Sequence, residues 1–268
     1  FHFRSTTIMD ASKPSAKMGR RGFSIRDTLK DVKFDINDPQ FIAFLVAIFA
    51  VVLTYVILKL FLRQRTARRS VLLLGLCDAG KTLIWSKLLY GRKADTHTSI
   101  KENVGDYQTN KGLLKIVDIP GHERLRMKFL DQYKSSARAI IFVVDAMTFQ
   151  KDLRDVAEFL FNILLDSVVS RSNPAILIVA NKQDKPMAKG SSLLKTNLER
   201  ELNLLRDTKD KQLDSIADKT VTQSYLGKQG KDFSFSQLTA QIDFAETSGL
   251  SDDPSGLEPV KTWLASVA

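Results

Sequence analysis

Gly75-Leu76-Cys77-Asp78-Ala79-Gly80-Lys81-Thr82, set directly behind the apolar run 71–74, decides how the rest of the chain is read. It fits G-x-x-x-x-G-K-[ST], a loop that wraps phosphates. Gly75 and Gly80 permit backbone angles and close approaches that a Cβ forbids. The loop, Asp78 and Ala79 included, turns its N–H groups inward as an anion nest and opens a helix whose positive end faces the ligand. Lys81 brings a movable cation to the β- and γ-phosphates, and Thr82 offers a hydroxyl to Mg²⁺. The pattern implies a buried strand over 71–74 and an amphipathic helix over 82–90. A chance Gly-rich turn would lack that strand–loop–helix setting.

The chain of 268 residues has room for one sizeable domain plus an appendage. A hydrophobic fraction of 44% and a charged fraction of 26% argue against disorder throughout. The formal charge of +10 points to an acidic partner such as a nucleotide or anionic lipid. No nucleic-acid motif accompanies it, so no direct sequence-specific nucleic-acid contact is expected. Cys77 is the single cysteine, which excludes an intrachain disulfide and a thiolate zinc site and suits a reducing compartment. In the loop, Cys77 reads as a small filler.

Residues 1–39 mix basic residues with Ser, Gly and Asp and are expected to form a flexible tail. Either the start at Phe1 has been processed, or 1–8 is carried over from upstream sequence and Met9 is the start. The second reading is favoured because the first eight residues show no targeting pattern. Residues 41–58 then run without a charge. As a helix, 41–62 would reach about 33 Å, enough for a hydrocarbon core of roughly 30 Å. The expected membrane span is 40–62, with Lys59 near its end able to snorkel to the headgroups. A secretory signal would be shorter and earlier and would end in small residues, and a core helix would not be apolar around its whole circumference. Arg63, Arg65, Arg68 and Arg69 make 63–69 a basic juxtamembrane linker on the cytosolic side. Arg26, Lys30 and Lys33 oppose that orientation by charge, but the phosphate loop needs the cytosol, which places 70–268 there.

From residue 70 on, apolar strands alternate with amphipathic helices. Strand candidates are 71–74, 106–109, 113–118, 139–144, 175–180 and 241–245. A turn at 110–112 makes 106–118 a hairpin and gives one antiparallel edge. The result is an α/β fold, a mostly parallel six-stranded sheet with helices on both faces. A helix is expected over 196–205 and a closing helix over 259–267 with Trp263 packed inward. Residues 206–231, polar and rich in Lys and Asp, are expected to be a mobile surface insert.

Asp118-Ile119-Pro120-Gly121-His122 ends a strand. A carboxylate there can hold Mg²⁺ through water, and Gly121 can bring its N–H to the γ-phosphate. An Asp at a strand end is common, and its distance behind the phosphate loop in the same sheet gives it weight. Asn181-Lys182-Gln183-Asp184 follows a further strand. The Asp184 carboxylate can accept two hydrogen bonds from the N1–H and 2-amino edge of guanine, which adenine cannot supply. Asn181 steadies the pocket and the Lys182 stem covers the base. A surface turn would suit N-K-x-D equally, but third in this order it indicates GTP. In Glu246-Thr247-Ser248-Gly249, the backbone N–H groups of Ser248 and Gly249 stand where guanine O6 would be received. In Thr96-His97-Thr98-Ser99-Ile100, Thr98 is the choice to complete the Mg²⁺ shell, with Thr96 as alternative and no role for His97.

With these motifs, 70–268 resembles the Ras-like small GTPases with their P-loop fold, nearest the Arf/Sar branch. The span together with G-L-C-D-A-G-K-T, T-H-T-S-I, D-I-P-G-H-E, K-S-S-A-R-A-I-I-F-V-V-D, N-K-Q-D and L-G-K-Q-G-K-D-F-S-F-S-Q-L looks like the β-subunit family of the signal recognition particle receptor. That resemblance implies an endoplasmic reticulum anchor. It also implies a heterodimer with the receptor α subunit in the GTP state, with ribosome or translocon as further partners. Two departures stand out. His122 occupies the place where Ras-like proteins carry the Gln that orients the attacking water, which implies slow unassisted hydrolysis. Gly249 and Leu250 replace the usual Ala-Lys, which removes a Lys stem from the base. Arg124 and Arg126 read as solvated. The competing class, a vesicle-traffic GTPase cycling on and off its membrane, needs a releasable anchor. An ATPase or kinase is opposed by Asn181 and Asp184.

Leu53→Arg should raise the insertion cost of the span by about 3 kcal/mol and reduce the carbonate-resistant membrane fraction. Full integration of the variant would contradict the span.

Overall fold

The computed structural model describes residues 39–67, 69–92, 98–215, 225–250 and 254–268. The chain divides into two compact units, Phe1–Leu60 and Phe61–Ala268. Helix α1, Pro39–Ala67, is 29 residues long. Leu45, Phe49, Val52, Leu53 and Val56 are all exposed on it. Thr54 donates its hydroxyl to the Ala50 carbonyl (2.8 Å), so the helix satisfies that polar group internally. Among the described residues no helix is long and apolar enough to cross a membrane.

The second unit is built on a six-stranded sheet of β1 (Ser70–Leu74), β2 (Asn103–Thr109), β3 (Gly112–Asp118), β4 (Ala137–Asp145), β5 (Ala175–Asn181) and β6 (Ile242–Glu246). Their order across the sheet is β2-β3-β1-β4-β5-β6. Only the β2–β3 pair is antiparallel, as the hairpin pattern predicts. The central strands are apolar on both faces because helices cover both. On one face, Leu72, Leu74, Ile140, Phe142, Val144, Ile176 and Ile178 pack against α3 (Glu123–Tyr133), α4 (Phe149–Leu165) and α6 (Ser191–Ser215). On the other, Val71, Leu73, Ile141, Val143, Leu177 and Val179 meet α2 (Lys81–Tyr90) and α7 (Glu258–Val267). Trp263 of α7 is buried, as expected, and donates its indole N–H to Asp243 (2.8 Å).

Local chemistry sets the helix ends. The α2 helix stops at Gly91, left-handed at φ 67°, whose N–H returns to the Lys87 carbonyl. The short α5 (Ser167–Ser172) starts on Asp166, whose carboxylate accepts the N–H groups of Val168 and Val169. Parallel register aligns the carboxyl ends of the strands: Leu73 stands beside Asp118, Asp145 beside Asn181, and Ala180 beside Glu246. A doubly wound sheet places its ligand crevice at that edge.

The largest difference from the sequence reading lies in α6, which starts at Ser191 rather than 196. Helix α6 runs to Ser215, well beyond 205 and into the stretch expected to be a mobile insert. Arg206, which the polar pattern placed on the surface, is only 5% exposed. Its guanidinium donates to Asn203 Oδ1 (2.6 Å) and to the Lys231 and Lys228 carbonyls (2.7 and 3.4 Å), and it lies 5.1 Å from the Tyr225 ring centre. Arg206 thereby clamps 225–231 to the helix, and Leu226 of that segment is buried in the core. The remainder of the expected insert, 216–224, lies outside the described residues, as does the tail 1–38.

Arg206→Ala should cost about 2–3 kcal/mol, the usual loss for hydrogen bonds to a charged group, read as a lower melting temperature. Hydrogen exchange at 225–231 should rise while that of β1 and β4 stays unchanged.

Candidate functional site

Two hollows lie along the carboxyl edge of the sheet. The first, about 280 Å³, is lined by the phosphate-loop residues Asp78, Gly80, Lys81 and Thr82, by Thr98 and Ser99, and by Gly121 and Lys182. The second, about 300 Å³, is lined by Gln183, Asp184, Thr247 and Ser248 together with Ser255 and Gly256.

In the first hollow the loop leaves β1 through Gly75 and enters α2 at Gly80, left-handed at φ 93°. A Cβ on Gly80 would lie 2.4 Å from Asn181 Nδ2. Gly121 is held for a different reason: its Cβ would lie 2.6 Å from Cys77 N, so only glycine lets the second motif pass this close to the loop. Lys81 is buried, and its ammonium donates to the Leu76 carbonyl (2.7 Å). Burial lowers its pKa, while the Asp118 charge opposes that shift.

Thr82 donates its hydroxyl to Asp118 Oδ2 (2.7 Å), which also accepts from Asn103 Nδ2 (2.9 Å). Asp118 is 1% exposed, and its Oδ1 is buried without a hydrogen-bond partner. Burial is the main cause that raises its pKa, against the two hydrogen bonds and Lys81. An orphaned carboxylate oxygen beside a hydroxyl and a phosphate nest fits a hard divalent cation with oxygen ligands. The donor set therefore suits Mg²⁺. Thr98 lines this hollow, and the hydroxyl that hydrogen-bonds Thr82 is that of Ser99, at 3.2 Å. Thr96 and His97 lie outside the described residues.

Asn181 joins the two hollows. It is 1% exposed; its Nδ2 donates to the Ala79 carbonyl (2.8 Å), while its Oδ1 accepts from Gly249 N (3.1 Å) and Thr247 Oγ1 (3.2 Å). In the second hollow, Ser248 Oγ donates to Asp184 Oδ1 (2.7 Å), the main cause that lowers the Asp184 pKa. Asp184 is therefore an anionic acceptor at neutral pH, fit for a base edge with two donors.

The sequence reading differs from this geometry in three places. The amides of Thr247, Ser248 and Gly249 donate to Ala180 O, Gly256 O and Asn181 Oδ1. Receiving guanine O6 on Ser248 or Gly249 would require one of those bonds to be exchanged. His122 is exposed at the start of α3 and is not among the residues lining either hollow. Arg126 is half-buried rather than solvated, its guanidinium 4.6 Å from the centre of the Phe159 ring. Asn103 and Ser99 were missed as site residues. The hairpin held the signal for Asn103: a turn pairing Thr109 with Gly112 puts Asn103 opposite Asp118. Gly249 is not forced by space, since a Cβ there would meet Leu83 at an ordinary 3.4 Å.

The family model for the signal recognition particle receptor beta subunit matches residues 66–242. The signal recognition particle receptor subunit beta of Homo sapiens is 43% identical over 249 residues, covering 90% of this chain and 92% of that protein. A chain of the mammalian signal recognition particle receptor structure superposes with a TM-score of 0.66 at 45% identity, over 75% of this chain and 100% of that one. The receptor subunit from Chaetomium thermophilum solved with GDP and Mg superposes with a TM-score of 0.59 at 26% identity, over 75% of this chain and 98% of that one.

A proton and a divalent cation compete for Asp118. Because its folded pKa is raised, acidification through the window above the ordinary carboxyl value stabilises the metal-free fold and weakens Mg²⁺. Mg²⁺ titrations followed by nucleotide release should show affinity falling as pH drops toward the ordinary carboxyl range. Equal Mg²⁺ affinity across that range would contradict the assignment.

Proposed function

The chain belongs to the signal recognition particle receptor beta-subunit family, and from that premise we propose that it is the membrane-anchored GTP-binding subunit of the receptor. In this reading it binds the receptor α subunit while GTP is loaded and so serves co-translational targeting to the endoplasmic reticulum. The observation that carries the reading is the Asn181 bridge, which holds a phosphate nest and an anionic base acceptor in one fixed relation.

Each residue then has a defined task. Asp184 accepts the N1–H and 2-amino group of guanine, with Ser248 orienting the carboxylate through Oδ1. The Lys81 ammonium leaves the Leu76 carbonyl for the β- and γ-phosphate oxygens. Thr82, Asp118 and Thr98 would hold Mg²⁺, which when bound neutralises phosphate charge. The Gly121 N–H senses the γ-phosphate and couples its presence to α3. Leu130 is the fully buried residue of that helix, with Phe129 and Tyr133 partly buried against the same core, a limited contact that suits reordering with the nucleotide. His122 becomes competent to orient water only if that reordering carries it inward, which makes unassisted hydrolysis slow.

Helix α1 supports the anchor. The charge-free run 41–58 of its sequence and its exposed apolar side chains, Leu45, Phe49, Leu53 and Val56 among them, favour lipid over water. A permanent span also argues against an Arf/Sar-like cycle on and off the membrane.

The wild-type chain in vesicles should capture the N-terminal domain of the receptor α subunit with GTPγS and not with GDP. Asp184→Asn should move that capture from GTP to xanthosine triphosphate. Capture independent of nucleotide would contradict the gating, and an unchanged preference for GTP would contradict the role of Asp184.

A further inference from the structure

Lys182 sits between the two hollows in an unusual way. Its backbone is left-handed at φ 68°, a region that side chains beyond glycine seldom adopt. Its stem lines the phosphate hollow, while the next two residues, Gln183 and Asp184, line the base hollow. A lysine stem in that place can shelter the sugar and base only if its free end is held, because four rotatable bonds otherwise disperse it.

The free end is held by Asp145. Lys182 Nζ lies 2.6 Å from Asp145 Oδ2, and Asp145 is the less exposed partner, at 13% against 31%. The carboxylate is itself fixed. Its Oδ1 accepts the N–H groups of Met147 (2.9 Å) and Thr148 (3.4 Å), which turn the chain from β4 into α4. The sheet register sets Asp145 beside Asn181, and Ala146 N donates to the Asn181 carbonyl (3.0 Å). Asp145 thus faces backbone with one oxygen and the Lys182 ammonium with the other.

We propose that Asp145 is a positioning residue of the nucleotide site: it pins the Lys182 stem as the shelf on which the nucleoside rests, and so sets the nucleotide release rate. This rests on the guanine-nucleotide reading above. Asp145 touches no ligand itself; its effect passes entirely through Lys182. The backbone turn that it caps is a separate duty, and the two are separable because each uses its own oxygen.

The test uses the full chain in lipid nanodiscs loaded with tritiated GDP, comparing wild type, Asp145→Asn, Lys182→Met and the double variant. Asn keeps an oxygen for the Met147 and Thr148 amides but loses the ionic hold on Lys182. Asp145→Asn should speed GDP release roughly tenfold, the scale of one charge-assisted hydrogen bond. Lys182→Met should do the same, and the double variant should release no faster than either single one. Multiplicative rates in the double variant, or a lowered melting temperature with release unchanged, would overturn the proposal. Asp184→Asn run alongside separates the two claims. If it sheds GDP quickly while Asp145→Asn does not, the positioning role alone fails. If neither sheds GDP quickly, the base-site reading fails with it.

Discussion

The buried carboxamide of Asn181 makes three hydrogen bonds to two other loops, and the site's geometry hangs on them. Its donor reaches the phosphate loop at Ala79, and its acceptor gathers the loop after β6 at Thr247 and Gly249. Without it the two hollows would be separate features of neighbouring strand ends. A buried amide left with unmet partners is costly, so the arrangement favours one register of all three loops over any mixture. The strands make this feasible because their parallel register brings residues distant in sequence to one edge.

That edge is kept under electrostatic tension. Lys81 and Asp118 are both buried, yet Lys81 satisfies itself on a carbonyl and Asp118 on two neutral donors. One Asp118 oxygen stays unpaired. Burial is the leading cause that lowers the Lys81 pKa and raises that of Asp118. A polyanionic ligand with a divalent cation answers both deficits together, so part of the fold's stability is held in reserve for ligand binding.

Much of this was legible in the sequence, for a physical reason. Gly80, Gly121, Asp118 and Asn181 occupy positions where the geometry leaves few alternatives, so residue type and spacing carry the information. The sheet was equally readable, because strands buried on both faces become unbroken apolar runs. The failures fall where a polar side chain does unexpected work. Arg206 looks like surface in any hydropathy pattern, yet it is spent on the Lys228 and Lys231 carbonyls, and α6 runs past it. Arg126 likewise covers Phe159 instead of meeting solvent. Ser99 is hidden by neighbouring hydroxyls in one short stretch, and the amides after β6, which the sequence assigns as donors to guanine O6, are already used as donors within the fold.

The central claim is a guanine-specific site that holds its triphosphate rather than spending it. The direct test loads the full chain in nanodiscs with γ-labelled GTP and follows retained label and released phosphate over hours, with ATP in parallel. The account predicts that GTP stays bound and largely intact while ATP is not held. Equal retention of ATP would contradict base recognition by Asp184, and rapid unaided release of phosphate would contradict a docking subunit that waits for its partner.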